Sequence, residues 1–467
     1  MIPKIIHYCW FGKKPLPKPF ADFVQGWKNL MPDYQLVCWN EENAPLHLPY
    51  LQNALAAENW ANASNLVRLW AVYHHGGIYL DTDVEMKKAI DDFTSTSCFF
   101  GKEKDVERIY VNNAVFGAVA EHWFIKECIV ALQMQYDGYE AANLSSPILT
   151  TTLLEKYEHI NNDEIQDVRD IKLFPCEVFH PWSWFESKEK SQVDPSSFTI
   201  HHYAKTWEKR KPHSGFSIQK IIARLLPERM KTQLRFGQIY SQIQQQKKVM
   251  YGPFAGLSFA QLKAHGSSVF PKLIGSYESC LHPLWYELQL NKYQKIIHFG
   301  AGEGYYVMGL QKLLLPTEGS TAFECDPRNI VLLKQNLEAN GMTAVVTIFD
   351  HKVNAVNAAA NVEGKRCLII CDIEGEEMVI FHQQNINLFN RCDLVIELHE
   401  FLDRNVKEQL EQLFEATHDI EIIAEEKIPD VARKFLIHDR KARNWIQLMD
   451  EGRPEAMRWM VLRAKIL

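Results

Sequence analysis

No apolar run in these 467 residues approaches the roughly 18 needed for a helical membrane span. The opening MIPKIIHYCWFGKKPLP has too short an apolar stretch, and no small-residue cleavage site, for a secretory leader. The ten cysteines include no CxxC pair and follow no framework spacing, so disulfide scaffolds and zinc modules are excluded and reduced thiols are expected. These absences together predict a cytoplasmic protein. Nothing repeats at a fixed period, which excludes a solenoid or propeller. Positive charge is not in excess: 51 basic against 58 acidic side chains leave a net −7, arguing against a general nucleic-acid surface. Apolar residues at 46% and charged residues at 23% are ordinary globular usage, neither disordered nor fibrous.

Such a length suits two or three domains. The character of the chain changes near residues 208–250. Upstream lie aromatic-rich strands and helices, opening with an apolar strand from Lys4 to Trp10. Downstream, strand-like runs (KIIHF, TAFECD, AVVTIFD, CLIICDIEG, LVIELHE, IEIIAEE, WMVLRAKIL) alternate with helical ones, the signature of a parallel sheet covered on both faces. The expected organisation is a first α/β domain over 1–210, a helical connector over 211–250 with a break at Pro227, and a second α/β domain over 251–467. Between Ser217 and Lys248 the connector carries seven basic residues (Lys220, Arg224, Arg229, Lys231, Arg235, Lys247, Lys248) and one acid, Glu228. Two readings stay open for it: peripheral contact with an anionic membrane, or a solvated spacer.

The sharpest local signal is GGIYLDTDVE. An apolar strand ends in Asp81 and Asp83, spaced i, i+2, so both carboxylates can face one side of the strand end. Paired hard oxygens suit Mn²⁺ or Mg²⁺, with a diphosphate completing the shell. Upstream, ASNLVRLW reads as a helix that places Arg68 ahead of the glycine pair, and the chain opens with IHYCWFG. These three motifs together resemble the DxD-containing sugar transferases of glycosyltransferase family 32, related to yeast initiating mannosyltransferases and to the catalytic domains of large clostridial toxins. That resemblance covers about residues 1–210 and implies a GT-A fold binding a UDP- or GDP-sugar. It implies that Trp10 stacks on the nucleobase, Arg68 contacts the donor, Asp83 binds the metal, and Asp81 meets the ribose or a metal-bound water. Where the family usually has Asp after the helix serine, this chain has Asn65, which either retunes sugar choice or weakens the enzyme. Asn113, in VNNAVFG, is a donor or acceptor contact or a turn residue. The segment IHHYAKTW resembles the family's closing segment over the diphosphate; His202 is expected to complete the metal shell, Lys205 to balance phosphate charge, and Trp207 to cover the leaving group. Retention of anomeric configuration follows from the same resemblance.

In the second half, IIHFGAGEGY sits between a strand and a helix. Its G-x-G-x-G spacing departs from the dinucleotide G-x-G-x-x-G and suits a loop meeting the amino-acid part of S-adenosylmethionine. Glu324 ends the next strand, 24 residues beyond Gly300, where a carboxylate can take both ribose hydroxyls. With GSYE, DIEGEE and ELHE, these segments resemble FkbM-like S-adenosylmethionine-dependent methyltransferases over about residues 250–467. A class I, Rossmann-like seven-stranded fold with an antiparallel last strand is implied, with Gly300, Gly302 and Glu324 binding the cofactor and Asp372 at the active-site strand end. His298 stands where many class I enzymes carry an acid. Asp350 is either an adenine contact or a turn residue. For the acceptor's proton, His399 can act as general base, its ordinary pKa being about 6.5. Alternatively Asp372 and Glu397 hold a metal, or these are strand-end caps.

The expectation is therefore an enzyme of two α/β domains, one transferring a sugar and the other O-methylating a sugar, in bacterial O-antigen or capsule assembly. Its partners would be a nucleotide sugar and a glycan or lipid-linked glycan acceptor, and no nucleic acid. A protein-modifying effector and a degenerate glycan-binding scaffold are the alternatives.

Overall fold

The structure, a computed structural model, describes residues 1–106, 108–160, 163–183, 195–204, 241, 244–362, 364–425, 449, 451 and 457–465. The chain divides into two compact units, Met1–His213 and Ser214–Leu467. Of the connector expected at 211–250, only 241 and 244–250 fall among the described residues, so its basic cluster lies largely outside them.

The first unit is built on a seven-stranded sheet in the order β2-β1-β3-β6-β5-β8-β7. Its strands are β1 (Ile5–Cys9), β2 (Gln35–Trp39), β3 (Gly77–Leu80), β5 (Cys98–Lys104), β6 (Ile109–Ala118), β7 (Gln166–Val168) and β8 (Ile171–Phe174). All four residues of β3 are buried, because it runs parallel to β1 on one side and antiparallel to β6 on the other. A sequence of four apolar or small residues is what a strand buried on both faces requires. One face packs on Ile6, Trp27, Ile78, Leu80, Phe99 and Phe179. A second, two-stranded sheet pairs β4 (Val84–Met86) with β9 (Thr199–His201), setting Val84 opposite His201. Trp27 joins that small sheet to the core, its indole N–H donating to the Val84 carbonyl at 2.9 Å.

The helix Trp60–His75 is buried over most of its circumference, yet carries Asn62, Asn65 and Arg68 inside. Spaced by three, these side chains form one polar line along the helix. Each is matched: Asn62 donates to the carbonyls of Gly138 and Glu140, at 3.0 and 2.9 Å. Asn65 donates to the Ala142 carbonyl at 2.9 Å and to Ser145 Oγ at 3.1 Å. The line thus fastens the 138–145 loop and, at Arg68, reaches the end of β3. His7, on β1, is equally structural. Its Nε2 lies 2.8 Å from the Gly76 carbonyl and its Nδ1 accepts from Trp39 Nε1 at 3.1 Å, while burial pushes its pKa down to about 4.

The second unit holds another seven-stranded sheet: β10 (Lys295–Phe299), β11 (Ser320–Phe323), β12 (Val346–Phe349), β13 (Cys367–Cys371), β14 (Asp393–Leu398), β15 (His418–Ala424) and β16 (Arg458–Ala464). Their order is β12-β11-β10-β13-β14-β16-β15, parallel from β12 through β14, with β16 inserted antiparallel to both β14 and β15. The antiparallel last strand expected from WMVLRAKIL is present. Helices Tyr305–Leu314, Pro327–Ala339 and Ala355–Val362 connect successive parallel strands. Strand order reverses between β10 and β13, and such a switch point opens a crevice outside the strands' carboxyl ends.

Candidate functional site

Two sites arise, one in each unit. In the first, the chain leaves the core at Leu80 and the Asp81 N–H donates to the Ala114 carbonyl at 2.9 Å. Asp81 Oδ1 accepts from Arg68 Nη2 at 3.0 Å and from the Tyr79 hydroxyl at 2.9 Å. The other guanidinium nitrogens donate within the unit, Nε to the Ser64 carbonyl at 3.2 Å and Nη1 to the Asn113 carbonyl at 2.9 Å. Arg68, expected at the donor, thus orients Asp81. Burial raises the Asp81 carboxyl above its ordinary range, and the Arg68 charge offsets only part of that.

Asp83 behaves oppositely. Burial would raise it too, but the His201 charge and the hydrogen bonds from His201 and the Ala204 N–H hold it well below the usual carboxylate range. The Ala204 bond is 2.8 Å long, and His201 Nε2 lies 3.3 Å from Asp83 Oδ1. One ligand atom each from Asp81, Asp83 and His201 lie within 4.8 Å of one another. Here the sequence reading is corrected: the cluster takes His201 and not His202. Pairing of β9 with β4 carries His201 to the DxD exit, and consecutive residues of a strand face opposite ways. His202 instead lies 3.0 Å from Glu85 Oε2 and stacks on Phe23 at 4.9 Å. The donor set fits a divalent cation, two hard carboxylates with one imidazole, and His201 Nδ1 is buried without a hydrogen-bond partner.

Trp10, just beyond β1, is half-buried, with its indole N–H donating to the Lys14 carbonyl at 2.6 Å. Asn113 Oδ1 is buried and has no hydrogen-bond partner. Lys205 and Trp207 lie outside the described residues. Sequence reasoning missed Glu103, which lies beside this cluster. Burial raises its carboxyl; Asn112 bonds to it, and His201 and Tyr203 lie close by. The only sequence signal was the asparagine pair in β6, whose first member turns toward Glu103 while also capping the Ala114 N–H at 2.6 Å.

The amide at position 65 gives a direct test. An aspartate there, the residue usual in the family, could not donate to the Ala142 carbonyl and would face it with a second acceptor. Asn65→Asp should cost the first unit about 1–3 kcal/mol, the price of an unsatisfied buried acceptor. Thermal unfolding should register a drop of several degrees for a unit of this size; an unchanged midpoint would remove Asn65's loop-fastening role.

In the second unit a cavity of about 640 Å³ sits at the switch point, lined among others by Gly300, Gly302, Glu324, Asp372 and His399. Glu324 accepts the Gly302 N–H at 2.7 Å on one oxygen and the Cys325 and Asp326 N–H groups, at 2.9 and 2.7 Å, on the other. The strand-end acid and the glycine loop are thus one hydrogen-bonded unit. A Cβ built on Gly302 would meet nothing within 4 Å, so the loop borders open space where a ligand has room. Those features fit the ribose and amino-acid ends of S-adenosylmethionine. His298 also lines the cavity; burial pushes its pKa down to about 3, and Nε2 has no hydrogen-bond partner. Asp350 does not reach the cavity: it is exposed, and the wall passes through His351, Lys352 and Val353.

At the other end, His399 is almost wholly buried. Its Nδ1 lies 2.8 Å from Glu377 Oε1, and its Nε2 lies 3.6 Å from both Asp372 Oδ1 and Glu374 Oε2. Burial would lower the imidazole pKa, but Glu377, Glu397 and Glu374 outweigh it and raise it. The cluster that the structure assembles is Asp372, Glu374 and His399, whereas the sequence reading had paired Asp372 with Glu397. Glu397 is buried nearby in the cavity wall. Glu377, the carboxylate behind His399, was missed altogether.

Comparison with known proteins bears on the first unit. Residues 17–100 match the family model described as "Glycosyltransferase sugar-binding region containing DXD motif", and residues 118–227 match the "Alpha 1,4-glycosyltransferase conserved region". Inositol phosphoceramide mannosyltransferase 2 of Schizosaccharomyces pombe is 26% identical over 34% of this chain and 48% of its own length. Human alpha-1,4-N-acetylglucosaminyltransferase is 28% identical over 31% of this chain and 40% of its own. The chain spans about half or less of the length of these relatives. Among solved structures, an O-methyltransferase from Bacillus cereus matches 40% of this chain and 80% of its own, with 12% identity and a TM-score of 0.25. No described helix is long and apolar enough to cross a membrane. The carboxylate pair at the end of a buried central strand thus lies in the half of the chain that carries both family matches, each to a glycosyltransferase region.

Proposed function

We propose that the chain is a bifunctional transferase. Its first unit moves a sugar from a UDP- or GDP-sugar to a glycan or lipid-linked glycan, and its second O-methylates a sugar. The setting proposed is bacterial surface-polysaccharide assembly, O-antigen or capsule, at the cytoplasmic face of the membrane. The observation that carries the first activity is the Asp81–Asp83–His201 cluster at the end of β3, within the half that matches the DXD family. Relatives named for inositol phosphoceramide and lactosylceramide support a lipid-linked acceptor.

In this reading Asp83 and His201 hold Mn²⁺ or Mg²⁺, which when bound neutralises charge on the departing nucleoside diphosphate. Asp81, oriented by Arg68 and Tyr79, meets the ribose or a metal-bound water. Trp10 covers the base, Asn113 offers its unpartnered Oδ1 to the donor or acceptor, Lys205 balances phosphate charge and Trp207 covers the leaving group. The acceptor hydroxyl attacks from the face the nucleotide leaves, which retains configuration. In the second unit Gly300, Gly302 and Glu324 hold S-adenosylmethionine, the source of the methyl group. The acceptor hydroxyl gives up its proton at the Asp372–His399 end of the cavity.

A thermal-shift series on the full chain tests both halves. UDP- and GDP-sugars with Mn²⁺, and separately S-adenosylhomocysteine, should each stabilise it, by some 2.7 kcal/mol at about a hundred times the dissociation constant. Slow Mn²⁺-dependent hydrolysis of the stabilising nucleotide sugar should accompany the first shift. No shift and no hydrolysis with any nucleotide sugar would end the transferase reading. Glu324→Ala should weaken S-adenosylmethionine binding at least tenfold by calorimetry and leave sugar transfer intact. Equal affinity would remove Glu324 from the cofactor site.

A further inference from the structure

His399 is almost wholly buried among carboxylates in the wall of the glycine-loop cavity. Glu377 is fully buried and accepts at Oε1 both from His399 Nδ1, at 2.8 Å, and from the Gly375 N–H, at 3.2 Å. A carboxylate at Nδ1 holds the proton there and leaves the lone pair on Nε2. In the neutral ring Nε2 is the ligating atom, and it lies 3.6 Å from both Asp372 Oδ1 and Glu374 Oε2. One ligand atom each from Asp372, Glu374 and His399 lie within 4.8 Å of one another, a grouping that one cation can draw together. At 3.6 Å the pairs are too long for a bridging hydrogen bond. Two metal–ligand bonds of roughly 2.1 Å at ordinary coordination angles separate their donors by about 3.0–3.5 Å, so the 3.6 Å pairs need draw in only slightly to share one ion. Glu397, buried in the same wall, adds a fourth carboxylate around the imidazole. A carboxylate behind a ligating histidine is the usual way a metal site fixes the ring's tautomer and orientation.

We infer that Asp372, Glu374 and His399 form a second divalent-cation site, at the mouth of the glycine-loop cavity, with Glu377 as the positioning residue behind His399. The inference rests on the methyltransferase reading of this unit. The site belongs to that reaction because Asp372 also borders the glycine loop: its carbonyl oxygen would lie 1.8 Å from a Cβ at Gly300. A cation held there faces the same cavity as the methyl donor and can draw an acceptor hydroxyl to it, lowering the hydroxyl's pKa. One imidazole and two carboxylates suit Mn²⁺.

The test uses the full chain carrying Asp83→Ala, which disables the first unit's cation site. Mn²⁺ titration followed by electron paramagnetic resonance should find one bound ion per chain, with nitrogen coupling from an imidazole. Glu374→Gln, a change at an exposed side chain that the fold tolerates, should weaken that binding at least tenfold. Glu377→Gln should weaken it by about 10- to 100-fold. Calorimetry with S-adenosylhomocysteine, in the absence of added metal, should be unaffected by Glu374→Gln. Absence of bound Mn²⁺ in the Asp83→Ala chain, or equal Mn²⁺ affinity in both further variants, would overturn the site while leaving the methyl-donor reading in place. Mn²⁺ binding as expected without any S-adenosylhomocysteine binding would support the site and remove the methyltransferase reading.

Discussion

Replacing Asp83 with alanine should abolish sugar transfer and metal-dependent nucleotide-sugar binding, while S-adenosylmethionine binding stays unchanged. Asp83 sits in two relations that alanine removes together. Its carboxylate belongs to the cation cluster with Asp81 and His201, and its Oδ2 accepts the Ala204 N–H at 2.8 Å. The first is electrostatic and the second is structural, and Asp83→Asn separates them. Asparagine keeps an acceptor for Ala204 but loses the negative charge that His201 and a cation need. Charge neutralisation by a bound metal contributes several kcal/mol at the transition state. At 1.36 kcal/mol per tenfold, both variants should lose about a thousandfold or more in kcat/KM. If Asp83→Asn transfers sugar at the native rate while Asp83→Ala does not, Asp83 is only a clamp for the 201–204 segment. The independence of the methyl-donor site follows from its residues, all of which belong to the second unit.

What the sequence made legible were features tied to one strand end. The DxD pair and the glycine loop each follow an apolar run, so their position at the edge of a sheet could be read without knowing the neighbours. Alternation of strands and helices in the second half likewise implied the parallel sheet, and the methyltransferase resemblance implied its antiparallel last strand. Long-range pairing was not legible. Whether His201 or His202 joins Asp83 depends on the register of β9 against β4, set between segments more than a hundred residues apart. A slip of one residue would exchange them. Arg68 was expected at the donor from the family resemblance; only the fold shows the Ser64 and Asn113 carbonyls and Asp81 that engage its nitrogens. Asn65 looked like a lost acid, whereas the 142–145 loop needs its N–H donors. Glu377 was hidden in a run of acids, DIEGEE, in which nothing local distinguishes the one that turns inward under His399.

Within the second unit, Gly300→Ala should eliminate methyl-donor binding and Gly302→Ala should only weaken it, although both glycines lie in one loop at positive φ. Gly300 has φ +79°, and a Cβ there would stand 1.8 Å from the Asp372 carbonyl oxygen and 2.9 Å from its carbon. Those atoms are backbone at the exit of β13, held by the Asp372 N–H donating to the Phe299 carbonyl at 2.9 Å. No rotamer change relieves the overlap, so the ends of β10 and β13 must part at the point where strand order reverses. The left-handed backbone alone costs an alanine about 1–2 kcal/mol, and parting two core strands adds to it, for a total of about 3 kcal/mol or more. Gly302, at φ +53°, carries the same backbone cost, but its Cβ would meet open space. That space is where we propose the donor's amino-acid end lies, so the methyl group should compete with ligand and not with the fold. Thermal unfolding should therefore separate the two variants, with Gly302→Ala lowered only by its backbone cost and Gly300→Ala by that cost and the strand overlap together. Titration with S-adenosylhomocysteine should find no binding to Gly300→Ala and at least a tenfold loss for Gly302→Ala. Native affinity in Gly302→Ala would show that the open side of the loop is not where the methyl donor lies, and native affinity in Gly300→Ala would remove the loop from the site altogether.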